Sequence, residues 1–163
     1  MAAKTTEPVS TSAISKKSLK RDYAFAVGRR REAVARVRLY ETIKDDLAWK
    51  ELKVKKGDIL VNGMLIAEYF PGDISRFRYT EPLRVANAQN RYTFTISLAG
   101  GGPSGQLDAV VAGISNVLAK TDKEEFRAVL KAKGFLSRDA RVRERRKVGT
   151  GGKARRKKQS PKR

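Results

Sequence analysis

The sequence predicts an α+β domain: a two-layer sandwich of a mixed β-sheet with helices on one face, continued by a long extended basic C-terminal tail. Three observations carry that expectation. Strand-like alternation comes first along the chain, clearest over residues 33–40 and 91–99. Helical spacing follows, from Leu107 to Leu118 and again after Thr121. The last twenty-six residues, 138–163, hold only Ala140, Val142, Val148 and Ala154 as apolar side chains. Such a segment buries too little to offset the entropy of folding by itself.

Taken in order, Tyr23-Ala24-Phe25-Ala26-Val27 reads as a short strand and Gly28-Arg29-Arg30-Arg31-Glu32 as a tight basic connection. In the next strand Ala35, Val37 and Leu39 alternate with Arg36 and Arg38, giving an apolar inner and a cationic outer side. Residues 41–56 mix charges with Leu47, Trp49, Leu52 and Val54 and favour no element. Residues 58–61 make a short apolar strand ending at Asn62-Gly63, a strong turn signal. Residues 64–70 read as a short helix stopped by Pro71-Gly72. Over 91–99, Tyr92, Phe94, Ile96 and Leu98 face one way and Thr93, Thr95 and Ser97 the other. The turn from Gly100 to Gln106 feeds an amphipathic helix carrying Leu107, Val110, Val111, Ile114, Val117 and Leu118 on one face. The capping box Thr121-Asp122-Lys123-Glu124 opens a second helix. That helix buries Phe126, Val129 and Leu130 and stops at Gly134, with Phe135 folding back. The expected organisation is an extension over 1–21, a globular body over 22–137 and a tail over 138–163.

Charge narrows the function more than the fold does. The chain has 37 Lys/Arg against 17 Asp/Glu, a net +20. Thirteen of those cations lie in 138–163 beside only Asp139 and Glu144, so more than half of the excess occupies the tail. Nucleic acid is the expected partner. Without cysteine or histidine there is no disulfide, no thiolate zinc site and no imidazole base. An enzyme would have to work with carboxylates, lysine or metal ions, and no cofactor or small-molecule substrate is expected. No stretch approaches the roughly 20 apolar residues of a membrane span. Residues 1–21 lack the apolar centre of a secretory signal and, poor in arginine, read as a flexible cytoplasmic extension rather than an organelle presequence.

Two motifs invite opposite readings. The glycine-rich turn can cradle a phosphate at a helix N-terminus, or be a tight strand-to-helix turn capped by Ser104. It is neither a Walker loop, since no Gly-Lys-Ser/Thr follows Gly105, nor a hydrolase elbow, since no histidine can activate Ser104. The run Arg29, Arg30, Arg31, Arg36 and Arg38 is either a solvated face or a phosphate-binding one; five arginines without a lysine favour phosphate. The outer sheet face is expected to offer no aromatic run for stacking bases, which argues against a strand platform that reads single-stranded RNA. The tail repeats cations over its whole length around a Gly149-Thr150-Gly151-Gly152 hinge and, extended, spans on the order of 80 Å. Residues 138–147 read as a brief helical continuation or as extended chain. Rival readings are a free DNA-compacting protein and a metal-dependent nuclease, the latter poorly served by scattered carboxylates such as Asp45-Asp46.

Five blocks together resemble one family. Gly28-Arg29-Arg30-Arg31-Glu32-Ala33-Val34-Ala35-Arg36-Val37 is similar to the opening motif of the universal small-subunit ribosomal protein number nine. Val61-Asn62-Gly63 with Tyr69-Phe70-Pro71, Gly100-Gly101-Gly102 with Ser104-Gly105-Gln106, Arg138-Asp139-Ala140-Arg141, and the basic ending Lys153-Ala154-Arg155-Arg156 to Lys162-Arg163 follow in the family's order. The resemblance is nearest to the bacterial form. It implies a fold like the second domain of small-subunit ribosomal protein five and a place in the head of the small subunit in the cytoplasm, beside other head proteins. It implies small-subunit rRNA contacts from Arg29, Arg30, Arg31, Arg36, Arg38, Arg138, Arg141, Arg143, Arg145, Arg146, Lys147, Lys153, Arg155, Arg156, Lys157 and Lys158. It also implies that Lys162 and Arg163 meet the anticodon stem-loop backbone of P-site tRNA. The ending departs from the usual Gln-Phe-Ser-Lys-Arg, reading Gln159-Ser160-Pro161-Lys162-Arg163, and Gly151-Gly152 replace bulkier residues.

Overall fold

Strand β1 (Ala24–Arg30) turns directly into β2 (Ala33–Tyr40), leaving only Arg31 and Glu32 between them. The computed structural model describes residues 22–41, 48–49 and 52–143. The extension over 1–21, Leu47, Asp45-Asp46 and the tail beyond residue 143 lie outside them. The first correction to the sequence reading is here: Gly28, Arg29 and Arg30 belong to the strand, paired with Ala35, Val34 and Ala33. Glycine signals a turn only where nothing else needs its missing side chain. At Gly28 a helix does, because a Cβ there would lie 1.9 Å from the Ala109 carbonyl oxygen and 2.4 Å from the Gly113 nitrogen. The turn is made instead by Arg31 in the left-handed region, at φ 51°.

The other strands are β3 (Ala48–Trp49), β4 (Leu52–Lys53), β5 (Ile59–Val61), β6 (Met64–Leu65) and β7 (Thr93–Ala99). Five of them form one mixed sheet in the order β1-β2-β7-β5-β6, with β5 parallel to β7 and the remaining pairs antiparallel; β3 and β4 pair separately. Asn62 and Gly63, at φ 51° and 89°, make the tight β5–β6 turn read from the sequence. Asn62 does more than turn the chain. Its side-chain amide donates to the Leu98 carbonyl, and its side-chain oxygen accepts from the Leu98 N–H at 2.9 Å. It thus carries the β7 pairing one residue beyond β5. Met64 and Leu65 are strand rather than helix because they pair with Val61 and Leu60; only Ile66–Tyr69 (α1) is helical.

Helix α2 (Asp73–Val85) left no mark in the apolar pattern, for it buries only Tyr79, Pro82 and Leu83 and leaves Ile74 and Phe77 exposed. Helix α3 (Pro103–Thr121) crosses β1 and β2, with α2 and α4 (Lys123–Ala132) packed against it. Its expected apolar positions are buried except Val111, which is half-buried. Gly102 occupies the N-cap with Pro103 next, and no side chain caps the helix, so Ser104 is not the cap. Asp122 rather than Thr121 caps α4, accepting from the Glu124 and Glu125 N–H groups; the Thr121 hydroxyl instead bonds the Val117 carbonyl inside α3. Val129 is exposed, not buried, because Phe126 and Leu130 alone complete the apolar stripe. The predicted stop is present: Gly134 at φ 76° and Phe135 donate to the carbonyls of Lys131 and Leu130.

The core lies between sheet and helices. Ala35, Val37 and Leu39 of β2 oppose Leu98, Ile96 and Phe94 of β7, and this inner face meets Val110, Ile114 and Val117 of α3. The outer face is divided. On β7, Thr93 and Thr95 are buried rather than solvated, and the Thr93 hydroxyl accepts from the Gly57 N–H and donates to the Lys55 carbonyl. On β1 and β2 the outer face stays accessible. That half of the sheet carries the candidate site.

Candidate nucleic-acid interface

Alternation along β1 sends neighbouring arginines to opposite sides. Arg29 is exposed on the outer face. Arg30 turns under the sheet edge, its side chain only 14% exposed. There its Nε lies 3.5 Å from Asp108 of α3, and its Nη1 lies 3.0 Å from Asp139 and donates to the Arg141 carbonyl at 3.0 Å. Arg78 of α2 also binds Asp108. One guanidinium therefore ties the hairpin to α3 and to residues 139 and 141, well past the end of α4. Planar, forked geometry suits it to this, since a lysine ammonium is a compact point charge.

Asp139 organises the root of the tail. It accepts from the Arg141 backbone N–H at 2.9 Å and pairs with the Arg141 guanidinium at 2.7 Å. The Arg141 side-chain hydrogen bond, then its backbone N–H, hold the Asp139 carboxyl well below the usual carboxylate range. The same pairing pushes Arg141 up. Residues 138–143 carry no regular secondary structure, so the helical continuation is corrected for those residues. Their backbone is directed instead by Arg30 and by the Asp139–Arg141 turn.

The structure thus assembles Arg29, Arg30, Arg138 and Arg141 around one cleft, also lined by Phe135, Ser137 and Asp139. Arg138, Arg141 and Arg143 are exposed. Arg36 and Arg38 stand on the outer sheet face and Arg31 at the hairpin tip, all exposed. Arg145, Arg146, Lys147, Lys153, Arg155, Arg156, Lys157, Lys158, Lys162 and Arg163 lie outside the described residues. Neither Arg29 nor Arg36 forms an ion pair among the described residues, whereas Arg30, Arg78, Arg91 and Arg141 each do. Arg30, half under the sheet, is thus held by the protein's own carboxylates, while Arg29 and Arg36 are exposed.

Sequence reasoning missed three contributors. Arg78 lies on the helix that the apolar pattern did not mark. Asp108 looked like an ordinary exposed helix residue; its signal is that it faces an arginine from each of two elements. The third is aromatic. Tyr23 and Phe25 share their parity with Arg29, and Tyr40 shares its parity with Arg36 and Arg38, so all three are on the outer face. The expectation of no aromatic run there is corrected. Counting back by twos from Arg29 would have found it.

The glycine-rich turn follows the tight-turn reading. Gly100 and Gly101 have φ of 73° and 68°, and a Cβ on them would meet the Glu32 carbonyl oxygen and the Ala33 Cβ. Gln106 closes the turn by donating to the Gly100 carbonyl and accepting from the Tyr69 hydroxyl. Its task is to let the β7–α3 connection lie against the hairpin turn.

Comparison with known proteins bears directly on this arrangement. The family model described as Ribosomal protein S9/S16 matches residues 28–163. The chain is 41% identical over 124 residues to the small ribosomal subunit protein uS9 of Leifsonia xyli subsp. xyli, covering 76% of this chain and 66% of that protein. Against the protein of the same name from Thermus thermophilus, identity is 42% over 125 residues, or 77% of this chain and 87% of that one. The Maridesulfovibrio salexigens relative is 39% identical over 134 residues, covering 82% and 92%. The chain spans just under two thirds of the Leifsonia protein and most of the other two. Since the family model matches residues 28–163 and relatives 39–42% identical align over most of the chain, the chain belongs to the ribosomal protein S9/S16 family.

Proposed function

We propose that this chain is a structural constituent of the head of the small ribosomal subunit, binding small-subunit rRNA and reaching P-site tRNA through its C-terminal arm. The family is one of structural ribosomal proteins, not enzymes. One observation carries the finer reading: Arg30 fastens the root of the arm to the body while Arg29 and Arg36 form no ion pair among the described residues. A body that only needed solubility would have no use for a fixed launch point. A body that threads a cationic arm into folded RNA does.

In this reading the globular part, 22–137, sets position and the arm, 138–163, supplies charge. Arg29, Arg31, Arg36, Arg38, Arg138, Arg141 and Arg143 displace counterions from rRNA phosphates, and the cations up to Lys158 line the channel beyond. Lys162 and Arg163 grip the anticodon stem-loop backbone. Contacts to phosphate carry no base information, which suits a holder of every P-site tRNA in turn. Neighbouring head proteins complete the partners, and the cytoplasm is the compartment.

Deleting Lys162 and Arg163 should weaken P-site tRNA binding to isolated small subunits and flatten its salt dependence, with subunit profiles on a gradient unchanged. Unchanged tRNA affinity across the salt series refutes the tip contact. Truncation from Arg138 onward should instead reduce assembled subunits; a normal profile would refute the channel role.

A further inference from the structure

The outer face of β1 and β2 combines aromatic rings with guanidinium groups. Register places Phe25 opposite Arg38 and Val27 opposite Arg36, with Arg29 further along β1. At the other end Tyr23 and Tyr40 lie together, ring centroids 5.7 Å apart, and the Arg38 guanidinium stands over the Tyr23 ring at 5.2 Å. Phe25, the second residue of β1, is 36% exposed although it is paired in the sheet. Neither β1 nor β2 contains a carboxylate. The adjoining part of the face, over Thr93 and Thr95, is closed by the chain at Lys55 and Gly57, so the open half is bounded.

We propose that this half-face is a stacking platform for an unpaired nucleotide of RNA, with the base on Phe25 and its flanking phosphates on Arg36 and Arg38. The inference rests on the rRNA-binding reading and adds a mode to it: the arm meets phosphate alone, while the sheet meets an extruded base. A π-face accepts any base, so the platform selects single-stranded geometry rather than sequence. Charge argues for RNA over a protein partner. An apolar patch on strands carrying acids and bases alike would suit a protein; β1 and β2 carry arginines and no carboxylate.

The test uses the full chain and two probes, a short oligouridylate carrying 5-bromouridine and a fully paired RNA hairpin of similar length. Photo-cross-linking of the oligouridylate is expected to map by mass spectrometry to the peptide holding Tyr23 and Phe25. Phe25→Leu keeps the apolar volume and removes the ring. It should lose the cross-link and bind the oligouridylate roughly tenfold more weakly, with hairpin affinity unchanged. Cross-links confined to the tail, or equal loss for both probes, would overturn the platform while leaving charge-driven RNA binding in place. Failure of the unmodified chain to bind either probe would sink the rRNA reading as well. If Phe25→Leu melts far below the parent, the cross-link map of the unmodified chain decides alone. In assembled subunits, a cross-link from Phe25 to a neighbouring protein instead of rRNA also overturns the proposal.

Discussion

Replacing Gly28 with alanine puts a methyl carbon where the backbone of α3 already stands. The new Cβ would lie 1.9 Å from the Ala109 oxygen, 2.4 Å from the Gly113 nitrogen and 2.8 Å from the Gly113 Cα. All three are main-chain atoms of a helix, so no rotamer change relieves the clash. Restoring ordinary contact near 3.4 Å requires sheet and helix to part by about 1.5 Å. The separation would be felt across the whole interface, because Ala26, Ala35, Val37, Val110, Ile114 and Val117 are all buried there. Overpacking of this kind costs about 1–3 kcal/mol, and gaps of even ~0.5–1 Å forfeit a quarter to a half of each dispersion contact. Together these suggest about 3–5 kcal/mol. For a body of this size, with about 4 °C of Tm per kcal/mol, the melting temperature should fall by roughly 10–20 °C. Thermal unfolding of the full chain followed by far-ultraviolet circular dichroism reads the shift. Gly113→Ala is the internal control. Its Cβ meets the Val37 Cγ2 at 2.6 Å but the Gly28 nitrogen only at 3.4 Å, and alanine gains about 1 kcal/mol of helix propensity. It should therefore melt well above Gly28→Ala. A Gly28→Ala protein within about 2 °C of the parent, or a reversed order of the two variants, would refute the close-approach argument.

Two further expectations concern the root of the arm. Arg30→Ala should expose residues 138–143 to limited proteolysis, with trypsin cutting after Arg138 and Arg141 several-fold faster, and Arg30→Lys should restore only part of the protection; equal rates in all three proteins would refute the strap. Asp139 should titrate well below the ordinary value of about 3.9 when its side-chain carbon is followed by NMR. Because its folded pKa is lowered, its contribution to order at the root is fully present above about pH 4 and is lost as pH falls toward that lower value. A midpoint near the ordinary carboxylate value would show that Arg141 does not hold it.

The inner core was legible because its periods are unambiguous. Val37 and Ile96 lie on strands whose alternation runs for several residues, and Ile114 and Val117 repeat at helical spacing; each is fully buried. The failures have physical causes. Helix α2 touches the core along too narrow a line to leave a stripe, and Pro82 inside it reads as a breaker. Gly28 looks like a turn because sequence shows flexibility but not the helix lying against it. At the site, the arginines were visible and their division of labour was not. Arg29 and Arg30 are adjacent and chemically identical, and only strand parity together with Asp108 and Asp139 tells which is occupied. The aromatic side of the outer face was recoverable from parity once β1 is known to run to Arg30.

The bond between Arg30 and residues 139 and 141 joins parts of the chain more than a hundred positions apart. Tension applied beyond residue 143 would therefore reach the body first at the β1–β2 hairpin, not at α4. Phe135, tucked onto the core behind the Gly134 stop, is shielded from that load. The fold behaves as a cleat. It takes strain broadside across paired strands, where many hydrogen bonds share it, and not end-on along one helix that could fray turn by turn.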